Sequence, residues 1–374
     1  MSQQLTYTLT EEQTAQRDAF VERILAAAGG AFDIFTLYIG HRLGLYQALP
    51  TAGSMTSVQL AAQTNTHERY VREWLEQQTV VGILEVENPE AAPTSRRFRL
   101  SPTHAEVLTD INSPNYVLPL ALMIAGAVRP IEQLLQAFQN GNGVPYSEYG
   151  TDFLEGQAAI NRVTFLQDLP HEWLPAIPDV HARLQANPPA RVADIGMGAG
   201  WSSIGIAQNY PRAIIDGFDP DAPSVELARQ NAREAGLNGE VNFHVRDAGD
   251  PTLAGQYDLV MALECIHDVS DPVGILRQMR QLAGEQGAVI IADERVGDTF
   301  TPTGNDVEWM MYGWSVLHCL PVGLDDGHNG GHSAATGTVM RTDTLRRYAE
   351  DAGFRELEVL PIDNFFFRVY RLHQ

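Results

Sequence analysis

The sequence predicts an α/β protein: a Rossmann-like, doubly wound sheet of seven strands with an antiparallel last strand, behind a mainly α-helical N-terminal domain of winged-helix type. Three observations carry that expectation. From Ala190 onward, short apolar runs (Arg191–Ile195, Ala213–Phe218, Glu240–Val245, Tyr257–Ala262, Ala288–Ala292) alternate with helical stretches such as Ser224–Ala235 and Pro272–Leu282. The last two strand-like runs, Leu357–Leu360 and Phe365–Tyr370, are joined by only Pro361 to Asn364, a connection that suits antiparallel strands alone. Between Thr51 and Asp110, two helical stretches joined by the turn Thr64–Thr66 precede two short strands, the order of a helix-turn-helix with a wing.

Taken in order, Glu11 to Leu49 carries apolar residues at helical spacing, and Gly29-Gly30 predicts a break between two helices. In the block that follows, Tyr70, Val71, Trp74 and Leu75 mark one face of a helix, and the runs around Ile83–Val86 and Arg97–Leu100 form the wing. Residues 1–112 thus read as a helical, winged-helix dimerisation domain. Residues 113–186 read as a helical linker and lid, interrupted by the Gly- and Tyr-rich loop Asn140 to Gly150. Asn187-Pro188-Pro189 is the linker into residues 187–374, which hold the sheet and an insertion at about 303–340.

Charge narrows the function classes. The 374 residues include 47 acids against 25 positive side chains, every one of them arginine, for a formal net charge of −22. The absence of lysine removes Schiff-base chemistry and a phosphate-loop lysine. The acidic balance argues against a general nucleic-acid binder and against attachment to an anionic membrane. The winged-helix block follows suit: Arg69, Arg72, Arg96, Arg97 and Arg99 are outnumbered by acids at 68, 73, 76, 85, 87, 90, 106 and 110. The longest apolar stretch expected is Tyr116–Val128, too short to span a bilayer. With only Cys265 and Cys319 and no Cys-x-x-Cys pair, the expected compartment is reducing and cytoplasmic.

The informative motif is Asp194-Ile-Gly196-Met-Gly198-Ala-Gly200, directly after a strand and before a helix. Glycines there let backbone approach a ligand closely. Asp219 ends the second strand, where a carboxylate can accept ribose hydroxyls, and Asp247 follows the third, where an acid can receive an exocyclic amine. A dinucleotide fingerprint would place a third glycine at position 201, but Trp201 stands there.

On these residues, with the strand Tyr257–Val260 and Gly287 before the fifth strand, the chain resembles the class I S-adenosylmethionine-dependent methyltransferases. It is similar in particular to small-molecule O-methyltransferases with an N-terminal winged-helix dimerisation domain, and to a bacterial branch often labelled possible transcriptional regulators. The resemblance implies S-adenosyl-L-methionine as cofactor and S-adenosyl-L-homocysteine as product. It assigns Asp194, Gly196, Gly198 and Gly200 to the loop beside the methionine end, Asp219 to the ribose, and Asp247 with Ala248 to the adenine. An acidic cleft without lysine suits the positive sulfonium.

For the acceptor, Ile266-His267-Asp268-Val269-Ser270-Asp271 is similar to the Leu-His-Asp-Trp-x-Asp stretch of the family, which makes His267 the general base and Glu294 the acid that orients it. Val269 replaces the family's tryptophan, and no second orienting acid is found near Thr342–Thr344. Trp309, Met310, Trp314 and His318 are expected to line an acceptor pocket, His318 as a second candidate base. Tyr146, Tyr149, Asn161 and Phe165 are expected as lid or pocket residues. His328 and His332 have metal-like spacing, but two histidines in a Gly-rich stretch are too few, and no metal is expected.

The expected function is methyl transfer to a small, partly apolar acceptor, most simply to oxygen, by a homodimer. The alternatives are a winged-helix regulator that senses a nucleotide and, more weakly, a nicotinamide oxidoreductase.

Overall fold

The computed structural model describes residues 9–374 apart from 238, 251, 254, 255, 303 and 326–331. The chain divides into two compact units, residues 1–125 and 126–374.

In the first unit, α1 (Glu11–Arg42) starts from a reciprocal cap in which Thr10 and Gln13 each accept the other's backbone N–H. The break expected at Gly29-Gly30 is not there. Two glycines cost a helix about 1 kcal/mol each, and the flanking Ala26-Ala27-Ala28 and Ala31 keep the helix continuous. Most of α1 is exposed, including Phe20, Leu25 and Phe32, and only Gly40 is buried. Its 18-residue apolar window has a mean hydropathy of 1.3 and is long and apolar enough to cross a membrane by length and composition, so α1 carries a longer apolar stretch than Tyr116–Val128. After α2 (Leu45–Ala48), β1 (Met55–Thr56), α3 (Ser57–Thr64), α4 (Glu68–Val80), β2 (Glu85–Val86), β3 (Arg97–Arg99) and α5 (Pro102–Thr109) form the winged helix. The sequence predicted the β2–β3 hairpin; β1 adds a third strand, antiparallel to β3. Leu45, Tyr46, Leu60, Leu75, Phe98 and Leu100 fill its core.

The helix α6 (Pro119–Ala127) crosses the boundary between the units. In the second unit, α7 (Ile131–Asn140), α8 (Gly150–Leu166) and α9 (Pro178–Gln185) precede the sheet. Its strands and helices follow as β4 (Arg191–Ile195), α10 (Trp201–Asn209), β5 (Ile214–Asp219), α11 (Ala222–Glu234), β6 (Val241–Val245), β7 (Leu259–Leu263), α12 (Pro272–Ala283), β8 (Ala288–Glu294), α13 (Asp306–Trp314), α14 (Leu320–Leu324), α15 (Thr342–Asp351), β9 (Glu356–Val359) and β10 (Phe367–His373). The spatial order is β6-β5-β4-β7-β8-β10-β9, with β10 antiparallel to both neighbours; the short connection predicted the pairing with β9.

The central strands β4, β7 and β8 are buried almost throughout because both their faces are covered, while the edge strands β6 and β9 are half exposed. In β7, Val260 and Ala262 pack on one face with Leu276, Met279 and Leu345, while Leu259, Met261 and Leu263 pack on the other with Leu184 and Ile206. The chain turns to opposite sides of the sheet on either flank of β4, and the crevice at the carboxyl ends of β5, β4 and β7 is where such a sheet accepts a ligand.

Candidate active site

A cavity of about 490 Å³ lies at that crevice. The turn after β4 shapes one wall. Gly196 and Gly200 hold φ of +63° and +77°, in the left-handed region that favours glycine. A Cβ on Gly196 would meet Cys265 Sγ at 2.8 Å, and one on Gly200 would meet Ala228 and the Phe243 ring at 2.9 Å. Around Gly198 a Cβ would find nothing within 4 Å, and Gly198 borders the cavity. Its N–H donates to Asp219 Oδ2 at 2.9 Å, while the Asp221 N–H donates to Oδ1, so the carboxylate at the end of β5 is fixed by backbone on both oxygens.

The electrostatics of the wall are one-sided. Asp194, Asp219, Asp221, Glu264, Asp268 and Asp325 line it, and no arginine or histidine does among the described residues. Burial pushes Asp194 up to about 6, against hydrogen bonds from the Ser202 and Ser203 hydroxyls at 2.6 Å each. Burial likewise pushes Asp219 up to about 6 against its backbone donors. Glu264 is raised to about 7, by burial first and then by Asp293 and Asp268, with His267 and the Asn161 amide pulling it down.

Beside the cavity stands a closed ion cluster. His267 Nδ1 lies 2.9 Å from Asp293 Oδ1 and 3.3 Å from Glu294 Oε2, and its Nε2 lies 3.3 Å from Asp268 Oδ1. Burial works against a charged imidazole here, but the three carboxylates outweigh it and hold the His267 pKa well above the ordinary histidine value. Burial also drives Glu294 well above the carboxylate range. The donor atoms of His267, Asp293 and Glu294 lie within 4.8 Å of one another, as do those of His267, Asp268 and Cys319, and either group could place three ligands round an ion.

Comparison with known proteins places this geometry. Residues 187–321 match a methyltransferase domain family, and residues 31–110 match the Rv2258c-like winged helix-turn-helix domain family. The structure is similar to that of mitomycin 7-O-methyltransferase (TM-score 0.68, 20% identity, covering 96% of this chain and 99% of that one). It is also similar to human N-acetylserotonin methyltransferase in complex with its cofactor (TM-score 0.64, 18% identity, 95% and 97%). These likenesses are of fold. The chain is a class I S-adenosylmethionine-dependent methyltransferase in fold, with a winged-helix domain ahead of it. In sequence, 104 residues are 31% identical to ajmaline N-methyltransferase of Rauvolfia serpentina, and the match takes in 28% of this chain. It spans only about a third of that relative, 35% of its length. A ubiquinone biosynthesis O-methyltransferase of Erwinia tasmaniensis is 28% identical over 184 residues, 47% of this chain and 68% of that one.

Within this methyltransferase fold the expected residues separate into three groups. Asp194, Gly196, Gly198, Asp219, Tyr146, Asn161 and Phe165 all line the cavity. Asp194 also bonds the first turn of α10 through its Oδ2. Gly200 does not line it; its missing Cβ makes room for α11 and β6. Asp247 and Ala248 also stand outside the lining: Asp247 is exposed and accepts the Gly249 N–H at 2.8 Å, and Ala248 is packed in the core.

The residues expected on the acceptor side lie away from this cavity. None of Trp309, Met310, Trp314 and His318 borders the cavity. Trp309 is 70% exposed and Met310 is exposed beside it. His318 is buried and stacked on Phe153, their ring centroids 3.8 Å apart, with Tyr149 edge-on at 4.5 Å. Burial lowers its pKa to about 4, so it is neutral, and its Nε2 is buried without a hydrogen-bond partner. Tyr149 is likewise a packing residue whose hydroxyl donates to the Leu317 carbonyl. The insertion instead contributes Val322 and Asp325. His267 and Glu294 are brought together, but neither lines the cavity. Asp293, absent from the sequence expectations, sits on β8 beside Glu294 and meets the same imidazole. His328 lies outside the described residues. Sequence reasoning also missed Glu264, Cys265 and Asp268 as lining residues, although the position after a parallel strand was their signal.

Proposed function

We propose that the protein is an S-adenosylmethionine-dependent methyltransferase acting on a small, partly apolar molecule. The carrying observation is the cavity wall: six acids and, among the described residues, no cation, at the switch point of a methyltransferase-type sheet. The residues present suit the cofactor. Gly198 leaves room for it, Asp219 keeps acceptor capacity for ribose hydroxyls, and Tyr146 and Trp201 offer aromatic surface. Asp247 and Ala248, just outside the cavity, are the proposed adenine contacts. The bound cofactor would supply an electrophilic methyl group carried on a positive sulfur.

The chain's own residues then position and desolvate. Tyr146, Leu154, Asn161 and Phe165 on the lid side exclude water from the acceptor, and proximity supplies most of the rate. The His267–Asp293–Glu294 cluster stiffens the carboxyl ends of β7 and β8. Oxygen is the acceptor atom that the family resemblance favours, with the N-methylating ajmaline relative making nitrogen the second choice. We place the protein in a reducing, cytoplasmic compartment from its two free cysteines, and as a homodimer through the winged-helix domain and α1.

Gene regulation is the weaker reading. All five arginines of the winged-helix block are paired with glutamates: Arg69 with Glu73, Arg72 with Glu68, Arg96 with Glu76, Arg97 with Glu87 and Arg99 with Glu85. Such a surface has little positive charge left for phosphates. The experiment is release of S-adenosylhomocysteine from S-adenosylmethionine across a panel of phenols and secondary amines. Turnover supports the enzyme; salt-sensitive, sequence-selective DNA binding without turnover overturns it.

A further inference from the structure

We propose that Glu264, held by Asn161, is the carboxylate that faces the transferable methyl group and takes the acceptor's proton. The inference rests on the methyltransferase reading and deepens it. Glu264 follows β7 directly and adopts φ +58°, in the region that disfavours any side chain with a Cβ. Its N–H is anchored to the Ala292 carbonyl at 2.8 Å, so the unusual backbone is fixed by β8. Strain of this kind concentrates where a side chain must be aimed. Here it sets the carboxylate on the cavity wall, facing the Asn161 amide, which donates to Oε2; the described contacts engage no other oxygen of that carboxylate.

The sheet order fixes where this lies. The crevice crosses the ends of β5, β4 and β7 in sequence, from Asp219 past Gly196 to Glu264. Adjacent strands are about 4.8 Å apart, so the strand ends that carry Asp219 and Glu264 stand roughly 10 Å from each other. Two rivals fall away. His267 bonds Asp293 Oδ1 through its Nδ1, has its Nε2 3.3 Å from Asp268 Oδ1, and does not border the cavity. Cys265 does border it, but burial pushes its thiol well above the ordinary range and its Sγ contacts the Ile195 carbonyl.

The charged groups acting on Glu264 are His267 and Asp268 after β7, and Asp293 and Glu294 on β8. With burial they leave Glu264 titrating near neutrality, suited to accept a proton and return it to solvent. In the transfer, the acceptor O–H or N–H gives its proton to the Glu264 carboxylate as its lone pair bonds the methyl carbon. The pair of the broken C–S bond stays on sulfur, leaving a neutral thioether.

The test compares S-adenosylhomocysteine, neutral at sulfur, with sinefungin, which carries an amine at that position, by calorimetry from pH 5.5 to 8.5 on the full chain. The 13C signal of Glu264 is followed in parallel. Wild type is expected to favour sinefungin about tenfold more at pH 8.5 than at pH 5.5, as a carboxylate of near-neutral pKa ionises. Glu264→Gln should lose both the preference and the pH slope while binding S-adenosylhomocysteine as wild type does, and Glu264→Asp should restore the slope. In the S-adenosylhomocysteine complex Glu264 should titrate near neutrality, and sinefungin should keep it ionised. An unchanged preference in Glu264→Gln, or a carboxylate that stays ionised to pH 5.5 beside S-adenosylhomocysteine, overturns the inference. Failure of wild type to bind S-adenosylhomocysteine at all overturns the cofactor reading and this inference with it.

Discussion

His267 Nδ1 is 2.9 Å from Asp293 Oδ1, and both side chains are closed off from solvent. A buried imidazolium between carboxylates is a structural ion pair before it is anything catalytic. Removing one partner strands a charge, which costs roughly 3–5 kcal/mol in comparable sites. Asp293→Asn is therefore expected to destabilise the fold by a few kcal/mol in urea titration at pH 7, and to move the His267 ring signals toward the neutral form. If stability and ring signals were both unchanged, the pair would not be as drawn.

The raised acids make an unusual pH profile. Asp219 gives up its proton near pH 3.8 when unfolded and at about 6 when folded. Between those values the native state binds more protons, so stability falls as pH rises through that window. Asp194 acts in the same sense over the same window. His267 adds to it at higher pH: a raised folded pKa gives stability that is fully present below the ordinary histidine value and lost as pH climbs through the folded one. The melting temperature is expected to rise as pH is lowered from 8 toward 5, and Asp219→Asn should flatten the acidic part of that slope. A wild-type maximum at pH 7 or above would contradict the burial described here.

Gly196 tests the cofactor turn. Alanine there would adopt a positive φ, which costs on the order of 1–3 kcal/mol, and would press on Cys265 Sγ at 2.8 Å. Gly196→Ala should lower both stability and S-adenosylhomocysteine affinity. Adding Cys265→Ala should recover part of the loss by removing the sulfur, and calorimetry on the two variants would show no such recovery if the contact were absent.

The exposed face of α1 calls for a partner. Leu25 and Phe32 are about two-thirds exposed, at 67% and 70%, on a helix with a single buried residue. An apolar surface of that kind is ordinarily covered. Light scattering should report a dimer that Leu25→Glu with Phe32→Glu converts to monomer. A monomeric wild type that floats with lipid vesicles would instead assign the face to a membrane.

How much of this was legible in the sequence depended on whether backbone or side-chain packing decided the matter. Asp219 was readable because a parallel strand delivers its last residue to the crevice whatever surrounds it, and Gly198 because it stands in the turn that follows such a strand. The reversed β10 followed from a four-residue connection. By contrast, Trp309 and His318 share one apolar stretch, and periodicity could not say that Trp309 would face solvent while His318 stacked on Phe153. Asp293 was hidden for a related reason. A neighbour of Glu294 on a strand ordinarily points to the opposite face, yet at the end of β8 both carboxylates reach the same imidazole. Gly29-Gly30 failed as a break because local propensity is a weak prior beside helix continuity.

Calorimetric titration of the purified protein with S-adenosylhomocysteine, beside NAD, tests the central claim most directly. Saturable binding of S-adenosylhomocysteine in a one-to-one ratio is expected, weakened at least about tenfold, or about 1.4 kcal/mol, by Asp219→Ala, with no heat from NAD. Binding of NAD, or no binding of S-adenosylhomocysteine, would contradict it.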